Sequence, residues 1–311
     1  MTLLALKVDV DTLRGTREGV PALIALLRRH QVGATFLFSV GPDHTGRAIK
    51  RIFRPGFFGK VRRTSVVRHY GVTTLLYGTA LPGPDIGRRA AAAMRAARDE
   101  GFETGIHCWD HVKWQDGVAD ADAEWTARQM RLACERYADV FGEPPRVHGA
   151  AGWQMSVHAL RQTQALGFDY CSDGRGSSPH LPVWNAELVR CPQLPTTLPT
   201  LDELIGVDGA SPDDAAEHLL ALTASEQPGG HVFTLHAELE GMLLTPVFER
   251  LVAGWQAQGY KLSSLRRLSE TLEPMALPRC EVGMDPVPGR SGVLFCQRRE
   301  FLGEVDLARA A

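Results

Sequence analysis

The chain has 311 residues, 34 Lys and Arg against 36 Asp and Glu, a formal net charge of -2 and 44% hydrophobic residues. That length allows one barrel-sized domain or two smaller ones, and the near-neutral balance speaks against a nucleic-acid-coating protein. No run of 18 apolar residues occurs, residues 3–6 are too short an apolar start for a signal peptide, and the six cysteines contain no C-x-x-C pair, so neither a membrane span, an export signal nor a disulfide framework is expected.

Residues 3–8 are β-rich and apolar, as in a strand buried on both faces of a parallel sheet, and they close on Asp9-Val10-Asp11. In extended chain the two acids point to the same face, so one can bind metal while the other stays free as a base. Residues 12–16 read as a loop and 17–30 as a helix, with apolar positions at 20, 23, 24, 26 and 27; residues 33–40 read as a second buried strand.

The alternation then pauses. Between Asp43 and Asp85 lie 41 residues without an Asp or Glu, with Arg47, Lys50, Arg51, Arg54, Lys60, Arg62, Arg63 and Arg68 set among Ile52, Phe53, Phe57, Phe58 and Val61. A solvated basic loop has this composition, and so has a segment that lays Phe side chains into lipid and cations against anionic headgroups. The expectation is an insertion over 44–84 that meets an anionic membrane surface, with no nucleic-acid partner.

Residues 85–100 read as a helix, and 102–106 as the strand that delivers His107-Cys108-Trp109-Asp110-His111. Two histidines four residues apart can each turn one ring nitrogen toward a single point if a helical turn follows the strand. Two imidazoles usually need a further ligand, commonly a carboxylate, and the Asp9/Asp11 pair is the obvious donor. Beyond this lie a helix over 120–141, a strand over 146–151 ending at Gly152-Trp153, a helix over 156–166, and a fifth strand over 168–172 with Asp173, Gly174 and Arg175 at its end. A sixth strand is expected over 188–194. Ser211-Pro212-Asp213-Asp214 is a strong helix start, residues 231–235 form a strand delivering His236, and helices follow over 243–258 and 263–272. Polar residues gathered at strand C-termini point to an α/β protein, a distorted (β/α)7-type barrel. Residues 1–273 read as one domain carrying the insertion, and 274–311 as a C-terminal extension expected to be disordered in part. Cys108 reads as a small apolar filler, Trp109 as rim packing, and His69, His148, His158, His218 and His231 as structural.

The order Asp9, Asp11, His107, His111, His236 on a βα chain resembles the polysaccharide deacetylase (NodB-homology) superfamily across residues 3–272. More narrowly, Val8-Asp9-Val10-Asp11-Thr12, Arg14-Gly15-Thr16-Arg17-Glu18-Gly19-Val20-Pro21, Phe38-Ser39-Val40-Gly41-Pro42-Asp43, Ala150-Ala151-Gly152-Trp153, Ser172-Asp173 with Arg175-Gly176, and Thr234-Leu235-His236-Ala237-Glu238 look like the 4-deoxy-4-formamido-L-arabinose-phosphoundecaprenol deformylases. The resemblance implies the NodB-homology fold and a metal-dependent deformylase that works on an undecaprenyl-phosphate-linked amino sugar at the cytoplasmic face of the bacterial inner membrane, for lipid A modification and resistance to cationic antimicrobial peptides. It makes Asp11, His107 and His111 the ligands of one divalent metal ion, Asp9 the general base and His236 the general acid. Two His and a carboxylate suit Zn2+, while Co2+, Mn2+, Ni2+ and Fe2+ also fit.

One position departs from the pattern. Gln154 stands where the wider superfamily leads one to expect an arginine holding the base carboxylate, and Arg175 is the candidate replacement. Arg14 and Arg17 are candidates to meet the substrate phosphate, Trp153 to stack on the sugar, and Asp173 to support the rim. The competing readings are a polysaccharide or chitooligosaccharide N-deacetylase and a non-catalytic membrane-surface binding module; the latter would be expected to have lost part of the acid/base set, and all five residues are present.

Overall fold

The computed structural model describes residues 2–48, 71–225, 227 and 229–302. Its strands are β1 (Leu3–Val10), β2 (Thr35–Ser39), β3 (Glu103–Cys108), β4 (Val147–His148), β5 (Tyr170–Cys171), β6 (Leu181–Trp184), β7 (Glu187–Leu188), β8 (His231–His236), β9 (Lys261–Ser263), β10 (Arg279–Pro286) and β11 (Val293–Glu300). Seven of them form a parallel sheet in the order β5-β4-β3-β2-β1-β8, with β9 also on β1. β1 is the hub: its first half pairs with β9, its second half with β2, and nearly its whole length with β8. Covered on both sides, it is a continuous apolar run interrupted only by residues that serve the site.

The sheet is a curled half-barrel, and an irregular segment spans the gap between its edges. Cys171 N–H donates to Pro192 O and Leu194 N–H to Cys171 O on one side, while Thr197 N–H donates to Val232 O on the other. This is where the sequence led us to expect a regular strand over 188–194. Pro192, Pro195 and Pro199 remove the donors a continuous ladder requires, so the chain crosses the gap extended but irregular.

Helices cover the outside, and their ends follow local chemistry. Asp122 accepts the Trp125 N–H at the start of Ala123–Phe141, and Gly142, at φ 77°, ends that helix in the left-handed region that suits glycine. Ser211 and Asp214 form a capping box at the expected helix start before Pro212–Leu222. The expected helix over 85–100 is broken at Ala90 into Ile86–Arg89 and Ala91–Asp99.

Within the C-terminal extension the described residues reach 302, and they are ordered over 279–286 and 293–300. Here β10 and β11 form an antiparallel hairpin, and β10 pairs in parallel with β6, which pairs with β7, giving a second, four-stranded sheet. Cys280, Val282, Leu294, Phe295 and Cys296 are buried, without the strict alternation that would mark these strands in the sequence. The hairpin packs against the end of β5: Arg175 N–H donates to Phe295 O and Gln297 N–H to Arg175 O.

Candidate metal centre and active site

Lys7, Asp9 and Asp11 follow one another at period two along and just beyond β1, so the pleat turns all three to one face. Parallel register sets Asp9 opposite His236 of β8. Between β2 and β3 the register shifts: Phe38 pairs with Ile106, but Ser39 pairs with Cys108. His107 is the extra residue, and such a bulge re-aims a side chain. His111 opens the helix His111–Gly117, whose N-cap Asp110 accepts the Lys113 N–H through Oδ1 and holds His44 Nδ1 at 2.6 Å through Oδ2. Gly41 is required beside this turn, because a Cβ there would lie 2.3 Å from Trp109 O.

The ligand atoms of Asp11, His107 and His111 all lie within 4.8 Å of one another. Asp11 Oδ1 is 3.3 Å from His107 Nε2 and 3.4 Å from His111 Nε2, and it is buried without a hydrogen-bond partner. His107 Nδ1 lies 2.7 Å from Gly149 O, so the proton belongs on Nδ1 and the Nε2 lone pair faces Asp11. Burial pushes the Asp11 carboxyl up, but the charge of His111 and the contacts with His107 outweigh it and hold the group well below the usual carboxylate range. Burial alone would lower the His107 imidazole, yet Asp9 and Asp11 raise it. A carboxylate that wants a cation and two imidazoles converging on it fit a divalent metal ion. Asp9 stands beside them with Oδ1 3.8 Å from His107 Nδ1, and that oxygen too is buried without a hydrogen-bond partner.

The supporting residues were mostly illegible in the sequence. Glu238, buried, accepts the Asp11 N–H, the Thr12 N–H and the Thr12 hydroxyl on Oε1, fixing the turn that carries Asp11. Gly15 makes room for it, since a Cβ there would come within 1.9 Å of that oxygen. Glu240 accepts the His236 N–H at 2.7 Å, and burial pushes its carboxyl up to about 8. Asp173 is fully buried: it holds His148 Nδ1 at 2.6 Å and accepts the Ala150 N–H, on either side of the Gly149 carbonyl that meets His107 Nδ1.

No family model matches the chain. Among curated proteins, one from Shewanella sediminis (strain HAW-EB3) that carries the name 4-deoxy-4-formamido-L-arabinose-phosphoundecaprenol deformylase ArnD is 36% identical over 300 residues, covering 96% of this chain and 95% of the relative. The chain belongs to this deformylase family. A second bearer of the name, from Wigglesworthia glossinidia brevipalpis, is 29% identical over 92% of this chain and 99% of its own length. The fold is shared with a Mycobacterium smegmatis protein assigned as a polysaccharide deacetylase, at a TM-score of 0.60 and 16% identity, covering 89% of this chain and 93% of that one.

Several deformylase-like positions take up other work than expected. Arg175 does not tether Asp9; it pairs with Glu203 at 2.7 Å and donates to Leu198 O. Gln154 does not reach Asp9; it donates to Val293 O of β11. The cation at Asp9 is instead Lys7, 3.3 Å from Oδ2. Trp153, expected to stack on the sugar, is 2% exposed, at φ 51°, with Arg290 4.7 Å and Arg175 5.3 Å from its ring centroid. Its ring stands edge-on to His236 at 6.3 Å, so it forms a wall behind that imidazole. Arg14 pairs with Glu18 at 3.0 Å, and Arg17 donates to Arg89 O.

Proposed function

We propose that this chain hydrolyses the formamide of 4-deoxy-4-formamido-L-arabinose-phosphoundecaprenol to formate and the free amino sugar. The observation that carries the reading is the Asp11, His107, His111 cluster with the unpartnered Asp9 oxygen beside it, in a chain 36% identical to a relative that carries the name of that activity. A divalent ion held by those three residues would supply Lewis acidity toward the formyl oxygen and lower the pKa of water toward neutrality, from about 16 to about 7 in favourable cases. Asp9 Oδ1, free of hydrogen bonds, takes the proton of the attacking water. His236, set opposite Asp9 by the β1–β8 register, protonates the nitrogen so that it leaves as an amine. Trp153 keeps that imidazole backed and shields it from solvent.

The substrate's lipid anchor gives the surface beside the site a second role, contact with an anionic membrane at the cytoplasmic face. The described part of the insertion favours this, leaving Val72 64%, Leu81 40% and Leu76 38% exposed. Its core over 49–70, with Phe53, Phe57 and Phe58, lies outside the described residues. No helix among the described residues is long and apolar enough to cross a membrane.

The test is formate release with metal analysis on the same samples, from wild type, His107→Ala and Asp9→Asn, using the formamido-arabinosyl lipid and an N-acetylglucosamine oligomer. Expected are formate from the lipid alone, loss of metal and rate in His107→Ala, and loss of rate with metal retained in Asp9→Asn, by about 100-fold or more. Acetate release from the oligomer as the sole activity would transfer the protein to the polysaccharide N-deacetylases. Turnover of neither, with metal bound, would leave the binding-module reading.

A further inference from the structure

Lys7 is the residue least at home in its surroundings. It lies at the centre of β1 with no solvent exposure, and a buried ammonium is tolerated only where partners replace its water. Three do so. Nζ donates to Ser172 O at 3.0 Å, lies 3.3 Å from Asp9 Oδ2, and sits 5.4 Å from the Trp153 ring centroid. Its stem lies along Gly149, where an added Cβ would come within 3.1 Å of Lys7 Cε, and Gly149 O is the acceptor that orients His107.

We infer that Lys7 is the positioning residue for the catalytic base: its ammonium, anchored on Ser172 O, grips Asp9 Oδ2 and thereby leaves Oδ1 aimed at the reacting water. The two oxygens of Asp9 are treated differently by the fold. Oδ2 has the ion pair, whereas Oδ1 is buried without a hydrogen-bond partner. A carboxylate held at one oxygen cannot swing about its Cβ–Cγ bond, so the other stays where a proton has to be collected. Neither Arg175 nor Gln154 reaches Asp9, since each is committed to the second sheet or its flanking segment. The cation therefore comes from the base's own strand, two residues earlier, where the pleat turns it to the same face.

The inference rests on the hydrolytic reading above for its rate consequences, so it is tested on two levels. In metal-stripped protein, Lys7→Met and Asp9→Asn are each expected to lower the urea midpoint, and the double variant to recover part of the loss, because each single change strands a buried partner. With metal bound, Lys7→Met is expected to lower kcat about 100-fold, with KM and metal content unchanged; Lys7→Arg should recover most of the rate. In the Asp9→Asn background, Lys7→Met should cost no further rate. Additive urea shifts, an undiminished kcat in Lys7→Met, or a further rate loss in the double variant would each overturn the assignment. If wild type hydrolyses no amide offered, the functional reading fails while the urea cycle still decides whether Lys7 and Asp9 are coupled.

Discussion

At the scale of single residues, the site places buried acids under tension. Glu240 is fully buried, its Oε2 accepts the His236 N–H, and its Oε1 has no hydrogen-bond partner. Burial raises its carboxyl from 4.5 to about 8. The folded chain therefore holds a proton there that the unfolded chain releases above about pH 4.5. Stability from this group is full below the unfolded value and is lost as pH rises through the folded one. Glu240→Gln removes the titration, so wild type should lose stability relative to the variant by up to about 1.4 kcal/mol per pH unit between about pH 5 and pH 8. Urea midpoints of both proteins at pH 5.5 and 8.5 measure this, and parallel behaviour would show that Glu240 is ionised in the fold. The ligand and acid/base candidates were legible because chemistry constrains their spacing: D-x-D at a strand end and H-x-x-x-H across a strand-to-helix turn are patterns the metal demands. Lys7, Glu238 and Glu240 were harder to see. Each is a common surface residue type, and only the assembled fold shows which groups it meets. Lys7 had one signal, its period-two phase with Asp9 and Asp11, which its apolar flanks obscured.

At the scale of elements, the C-terminal hairpin is the part of the fold that sequence pattern conveyed least, and it closes the site from behind. Leu294 and Cys296 of β11 pack with Trp153, and Arg290 in the turn between β10 and β11 pairs with Glu203 and Asp202 while lying over the same ring. The wall behind His236 thus depends on strands that lie beyond the last expected helix. Phe295 is its anchor, 1% exposed, stacked on Trp184 with ring centroids 5.3 Å apart, and in contact with the space at Gly174 where a Cβ would lie 2.6 Å from its Cδ1. Phe295→Ala should destabilise the protein by about 3–5 kcal/mol through the cavity it leaves. It should also lower kcat while bound metal stays constant, because the candidate ligands sit just past β1, on β3 and on the helix His111–Gly117, and not on the hairpin. Chemical denaturation with metal analysis checks both; metal loss at full stability would mean that the hairpin shapes the metal centre directly. The helices were far more legible, since Asp122, Ser156 and Ser211 cap them through local contacts. Short strands such as β4 and β5 were placed correctly because each lies between a helix stop and a cluster of polar residues.

At the scale of the whole molecule, charge is sorted along the chain. Residues 44–84 carry eight Lys and Arg and no acid, so the remainder carries an excess of ten acids. In a soluble enzyme with a soluble substrate this separation would have no evident use, whereas an anionic bilayer would draw the basic segment inward and repel the rest, orienting the molecule. The described flanks of the segment link it to the candidate site. His44, at its start, binds Asp110, the cap of the helix that carries His111, and Asp43 accepts the Leu13 N–H just past Asp11. On the proposed docking, a surface at 44–84 would sit a few residues of backbone from two of the candidate metal ligands, which would suit a substrate anchored in lipid. Near an anionic surface each cation contributes about 1 kcal/mol, an attraction that fades within a Debye length. Replacing residues 49–70 by a short Gly-Ser linker should abolish co-sedimentation with vesicles containing anionic lipid. Wild-type binding should weaken steeply between about 0.05 and 0.5 M salt, where the Debye length shrinks from over 10 Å to a few. Metal content should be unchanged by the replacement, because Asp11, His107 and His111 lie outside it, and a water-soluble short-chain substrate analogue should still be hydrolysed. Vesicle binding that survives the replacement would move the docking surface elsewhere, and loss of activity toward the soluble analogue would mean that the segment shapes the sugar site itself.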